Sequence, residues 1–367
     1  MSQHSPLPPL SAIPATLQTV ADYEQQAQQH LSEAAWHYLQ GGAMHEISVQ
    51  QNRTQFQNIQ LVPRHLNDFT HGNTQINLLG MDYPYPIFVA PIGHQALFHP
   101  QAELATALAA EVMQSNFILS NFSNTDMVQL NSENPYKWFQ LYWQGDRDHV
   151  LALIKIAEQQ NFKALVITVD APHSGIRDRE RKAFFQLPQN MPHPHTVAAS
   201  QNMPMDENEH PIFQGLMQIA PRWDDIAWVI ENTRLPVLLK GILHPADAQK
   251  ALDCGVSGLI VSNHGGRILD TTISPLIALQ KIRAVVPHNY PLLLDGGVRR
   301  GTDIFKAIAL GANAVLVGRP YIYGLATAGA LGAAHVIRIL KEEFEVTMAL
   351  MGTATVDEIN HDYIYQP

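Results

Sequence analysis

The chain carries one cysteine, Cys254, in 367 residues. No intramolecular disulfide can form, and a reducing, cytoplasmic compartment is expected. Cys254 stands before a glycine at the end of a helix-like stretch, so it reads as a packed thiol rather than a nucleophile. Positive charge is scarce as well: 23 Lys and Arg stand against 33 Asp and Glu, with no basic cluster and a formal net charge of -10. That balance argues against nucleic acid or an anionic membrane surface as the main partner and leaves a small molecule as the default. The apolar runs fall short of the ~20 residues that span a bilayer. The opening "MSQHSPLPPLSAIP" lacks the basic start and apolar stretch of a secretory signal, so a soluble intracellular protein is expected. HExxH and Cys-rich metal spacings are missing too, and "HPH" at 193–195 has no carboxylate near it in sequence, so no metal is expected.

What the chain does have is alternation. Apolar, β-branched segments bounded by Gly or Pro recur at 86–91, 117–121, 137–143, 164–170, 236–241, 258–264, 291–297 and 314–320, which makes eight candidate strands. Their continuous apolarity is that of strands buried on both faces, as in a parallel sheet covered by helices. Helical spacing of apolar residues fills 101–114, 147–160, 222–233, 245–254, 274–286 and 302–311 between them. The pattern predicts an α/β fold, a (β/α)₈ TIM barrel forming a single domain, with a doubly wound open sheet as the alternative. Residues 1–85 precede the first strand as an N-terminal helical extension that either caps the barrel bottom or contributes to the site. Residues 171–221, after the fourth strand, show no periodic element and are rich in Pro, Asn and His, so a mobile lid loop is expected there.

The polar residues of the strands gather at one end: Asn121, Gln140, Tyr142, Thr168, Asp170, Lys240, Asn263, His264, Asp295 and Arg319. In a barrel those ends converge on the face that carries chemistry. The segment "LLLDGGVRRGTDIFKAIALGANAVLVGRP" (292–320) places Gly-rich, Arg-bearing turns after the seventh and eighth strands, where barrels often hold phosphate; solvated turn arginines are the bland alternative. Such a phosphate fits a cofactor better than a substrate, because Lys240 at the end of the fifth strand could offset negative charge on a redox ring. In "VSNHGGRILD" (261–270), His264 could act as a base if Asp170 fixed its tautomer, and Arg267 beyond two glycines could swing its fork onto a carboxylate. A core histidine and a turn arginine remain open on these grounds.

The segments "SNHGGR", "LDGGVRRGTD", "TVDAPHSGIRDRE", "FQLYWQGDR" and "VGRP", in collinear order from about residue 20 to 360, resemble the FMN-dependent 2-hydroxy acid oxidases and dehydrogenases. Within that family, "SGIRDRE" and "KGILHPADA" are most similar to the lactate oxidase branch. The resemblance implies FMN as cofactor and oxidation of a small L-2-hydroxy acid, foremost L-lactate to pyruvate, with O₂ as acceptor giving H₂O₂. A lactate 2-monooxygenase or a dehydrogenase with another acceptor stays open, as does a cofactor-free barrel. By the same resemblance His264 would be the base, oriented by Asp170, while Tyr38, Arg177 and Arg267 would bind the substrate carboxylate and Tyr142 its hydroxyl. Lys240 and Ser262 would lie by the flavin ring, with Pro91, Ile92, Gly93, Ser120, Gln140 and Thr168 contacting the isoalloxazine. Asp295, Gly297, Arg299, Gly318 and Arg319 would hold the ribityl and phosphate, and the family is commonly tetrameric.

Three departures from the family pattern stand out. Gly93 replaces a frequent Ala and would leave room beside the ring; Phe122 stands where relatives often carry Trp or Tyr and loses a hydrogen-bonding tip. The loop after the fourth strand lacks the membrane-binding insert of the mandelate dehydrogenase type, and no fused haem domain is expected before the barrel.

Overall fold

The computed structural model describes residues 5–130, 132–197 and 211–365. The expected helical stretch of the N-terminal extension is two helices, α1 (Val20–His30) and α2 (Glu33–Gln40), followed by α3 (Ile47–Asn58). The break between the first two has a local cause: Leu31 is extended, and the Ser32 side chain caps α2 by accepting from Ala35 N. A short hairpin, β1 (Ile76–Leu78) with β2 (Met81–Tyr83), precedes the barrel; its three-residue strands are too brief to show a period in sequence.

Eight parallel strands close into the barrel: β3 (Ile87–Val89), β4 (Asn116–Leu119), β5 (Lys137–Tyr142), β6 (Leu165–Thr168), β7 (Val237–Ile242), β8 (Gly258–Val261), β9 (Leu292–Asp295) and β10 (Ala314–Val317). Strand order follows the chain and β10 returns to pair with β3, so the open-sheet alternative is excluded. Each coincides with one of the segments read from sequence, with β4 starting one residue before its segment and β7 ending one residue after. Around them run α4 (Ala102–Val112), α5 (Arg147–Gln159), α6 (Asp178–Lys182), α7 (Trp223–Glu231), α8 (Pro245–Asp253), α9 (Pro275–Arg283), α10 (Gly301–Ala309) and α11 (Arg319–Met351).

Two elements depart from the sequence reading. The segment 171–221 holds a short helix, α6, in its described part, and residues 198–210 lie outside the described residues. The long α11 includes an 18-residue window apolar enough to cross a membrane, contrary to the expectation of uniformly short apolar runs. Seventy-two per cent of that window is buried, and the helix packs against α1, α4 and α10, which is the placement of a core helix. Its backbone leaves the helical region at Ala328 and Gly329, which splits the run and weakens its helical signal.

Candidate active site

The C-terminal ends of the barrel strands open into a cavity of about 1100 Å³. Of the expected site residues, Tyr38, Pro91, Ile92, Gly93, Ser120 and Tyr142 line it. So do Thr168, Arg177, Lys240, His264, Arg267 and Asp295, and, on the side of the Gly-rich turns, Gly297, Arg299, Gly318 and Arg319. Asp170, Gln140 and Ser262 stand immediately behind this lining, each hydrogen-bonded to a residue in it. Asn121 and Asn263 turn away: Asn121 accepts from Tyr142 N and donates to His195 O, and Asn263 exchanges side-chain hydrogen bonds with Asn52.

His264 Nδ1 lies 2.9 Å from Asp170 Oδ1, and its Nε2 is 3.4 Å from the Tyr142 hydroxyl. With the Nδ1 proton donated to Asp170, Nε2 is left as an acceptor toward the cavity. The turn that delivers the ring is tight. His264 has φ 57°, and its backbone N–H donates to Ser262 Oγ. Asp170 fits because residue 241 is glycine: with φ 112°, a Cβ there would come within 2.5 Å of the Asp170 carboxyl carbon. Burial opposes ionisation of Asp170, but His264 and then Lys240 outweigh it and hold the carboxyl below its usual range.

Lys240 is buried, which removes the reading of a solvated strand-end lysine. Its ammonium donates to Ser262 Oγ (3.1 Å) and pairs with Asp295 Oδ2 (3.0 Å). Burial lowers its proton affinity, yet Asp295 and Asp170 together raise it above the ordinary lysine value, so it is a fixed cation.

Two guanidiniums face one another across Glu180, a residue whose role sequence reasoning missed. Arg177 Nε lies 3.2 Å from Glu180 Oε2, and Arg267 Nη2 lies 3.2 Å from Oε1. Both cations also lie over the Tyr38 ring, at 5.8 and 4.9 Å from its centre. The expected free swing of Arg267 is corrected: its Nη1 is tied to Tyr38 O (2.7 Å) and Gly41 O (2.6 Å). The fork is preorganised, with one Nη2 hydrogen and Nε left for a ligand. Glu180 was visible in "SGIRDRE", three residues after Arg177, but the long-range partner Arg267 is invisible in sequence.

The Gly93 expectation is also corrected. A Cβ built at Gly93 would lie 2.6 Å from Phe122 Cβ and 2.9 Å from Phe122 O, so the small residue opens no room; it admits Phe122. Arg319 donates to Leu39 O, Gly265 O and Gly41 O, which ties the N-terminal extension to the barrel and leaves two of its five donors. The extension therefore contributes to the site through Tyr38 and these carbonyls. Of the "HPH" histidines, His195 uses both ring nitrogens, on Ser123 Oγ and Met127 N, and secures the segment after β6.

The family model described as FMN-dependent dehydrogenase matches residues 27–366. The chain is 43% identical over 357 residues to an L-lactate oxidase from Alicycliphilus denitrificans, covering 96% of this chain and 98% of that one. An L-lactate oxidase from a Nostoc species is 41% identical, covering 94% and 97%. Among solved structures, mandelate oxidase with (S)-2-phenylpropionate superposes with a TM-score of 0.85 at 35% identity, covering 95% of this chain and 98% of that one.

Proposed function

This chain belongs to the FMN-dependent dehydrogenase family, and we propose that it oxidises L-lactate to pyruvate with O₂ as acceptor and H₂O₂ as the second product. Two L-lactate oxidases above 40% identity over nearly the whole chain support the substrate and the acceptor. The observation that carries the chemistry is the Asp170–His264–Tyr142 chain set beside the two arginines.

The residues fit the cofactor. Gln140 Oε1 accepts from Ser120 Oγ and Asn121 N, while its buried Nε2 has no partner among the described residues and needs an acceptor such as a ring carbonyl. Lys240, Ser120, Thr168 and the backbone at Pro91–Gly93 would hold the ring, and Arg299, Arg319, Gly297 and Gly318 the phosphate end. FMN supplies the two-electron acceptor for the carbinol carbon.

In this reading Arg177 and Arg267, steadied by Glu180, hold the substrate carboxylate over Tyr38. Tyr142 donates to the substrate hydroxyl; burial raises its proton affinity well above the usual phenol value, so it remains a donor. His264 Nε2 takes a proton from the hydroxy acid, and Asp170 then steadies the imidazolium. The segment after β6 walls the mouth through Phe185, stacked on Tyr38 at 4.8 Å, and limits water. We also read the protein as cytoplasmic, on its single cysteine, and as a homotetramer, on the family resemblance.

The test is anaerobic reduction of the purified yellow protein by L-lactate, followed by admission of O₂ and assay of H₂O₂ and pyruvate. Reduction with stoichiometric peroxide supports the reading. Acetate and CO₂ without free peroxide overturn it in favour of a monooxygenase, and a reduced flavin stable in air overturns it in favour of another acceptor.

A further inference from the structure

His94 follows Gly93 and is held with φ 58°, in the left-handed region, as is the site residue His264. Its ring stacks on Phe122 (centres 5.5 Å apart, 21° between planes) and meets the edge of Tyr38 at 6.1 Å. A second imidazole, His193 from the segment after β6, packs against it at 4.9 Å and 85°. Both line the cavity, and the Nδ1 atoms of both are buried with no hydrogen-bond partner among the described residues.

This pair sits beyond the groups assigned to the acid. Tyr38 carries the two guanidiniums, and Phe122 packs on Tyr142 at 4.9 Å. His94 touches Tyr38 and Phe122 together, so it faces the third substituent of the α-carbon, the substrate side chain. A wall made only for a methyl group would be apolar there; two orphaned ring nitrogens are costly unless a ligand satisfies them. We infer that His94, with His193 beside it, is a specificity-determining pair that hydrogen-bonds an uncharged polar group, such as a hydroxyl, on the side chain of the 2-hydroxy acid. The inference rests on the proposed reaction and deepens it: the preferred substrates include hydroxylated 2-hydroxy acids as well as lactate.

The charge state agrees. Burial, then His193, Arg177 and Arg267, push His94 down to about 4, so near neutral pH it offers a hydrogen bond and no cation to attract a second carboxylate. An apolar pocket would disfavour a hydroxyl for its desolvation, so preference for one requires a partner.

The experiment compares isosteric pairs in anaerobic reduction of the FMN-loaded enzyme: L-glycerate against L-2-hydroxybutanoate, and L-2,4-dihydroxybutanoate against L-2-hydroxypentanoate. We expect the hydroxylated member of at least one pair to be favoured about tenfold in reduction rate over dissociation constant, the size of one hydrogen bond. His94→Ala should bring that ratio near one. His94→Asn, which keeps a hydrogen-bonding tip and tolerates the left-handed backbone, should retain part of it. The inference is overturned if neither pair discriminates in the wild type, or if the ratio survives in FMN-loaded His94→Ala. Should His94→Ala not fold, the wild-type pairs and His94→Asn still decide: a ratio near one in the wild type, or one as large in His94→Asn as in the wild type, overturns it. Reduction by L-lactate without discrimination sinks the specificity alone, whereas no reduction by any 2-hydroxy acid sinks the proposed function with it.

Discussion

Asp170 follows β6 and His264 follows β8, with β7 between them in the barrel wall; 94 residues apart in the chain, they meet at 2.9 Å through Nδ1 and Oδ1. That single contact decides which imidazole nitrogen faces the cavity. A ring nitrogen left as an acceptor toward the cavity is therefore a property of the pair and not of the histidine.

His264→Ala should keep FMN bound while reduction by L-lactate slows by roughly 10² to 10⁴-fold, the range a general base supplies. Stopped-flow reduction of the yellow variant measures this, and a near-wild-type rate would refute the assignment.

Asp170 gives a pH dependence with a definite sign. Its folded-state proton affinity is lowered, so the stability it contributes is present above the unfolded value of about 3.9 and is lost as pH falls through the lower folded value. Thermal melts from neutral pH down to about 2.5 should show the wild type losing its advantage over Asp170→Asn in that acidic window. Parallel curves through it would contradict the prediction.

Glu180→Gln separates the two tasks of the arginine pair. Arg177 and Arg267 lose a shared negative partner, so the melting temperature should fall, by the equivalent of about 1–3 kcal/mol. The same change leaves more net positive charge where the substrate carboxylate binds, so an unreactive carboxylate inhibitor should bind several-fold tighter. Inhibition constants and calorimetry read the two effects independently.

Arg267→Lys should raise KM for L-lactate at least tenfold with a smaller change in kcat. An ammonium cannot reach Tyr38 O, Gly41 O and a carboxylate together as the planar fork does. Steady-state kinetics checks it; an unchanged KM would mean the carboxylate is held elsewhere.

Gly93→Ala should destabilise the protein by about 1–3 kcal/mol, because the new methyl meets backbone as well as side-chain atoms of Phe122. Denaturant unfolding tests this, and a neutral result would show that Phe122 yields without cost.

The sequence alone determined the barrel, because strand and helix signals are local: eight apolar runs, each bounded by Gly or Pro, carry their own period, and all eight became the strands β3–β10. It also singled out polar residues that line one cavity, since strand ends are read from the same pattern and converge on one face by the fold's geometry. Only the tertiary structure decided that Glu180 bridges two arginines 90 residues apart, that Arg267 is tethered rather than free, that Phe122 fills the space at Gly93, and that His94 and His193 share one wall. These are contacts between side chains distant in the chain, and periodicity holds no information about them, because it records which face a residue takes and not what it meets there.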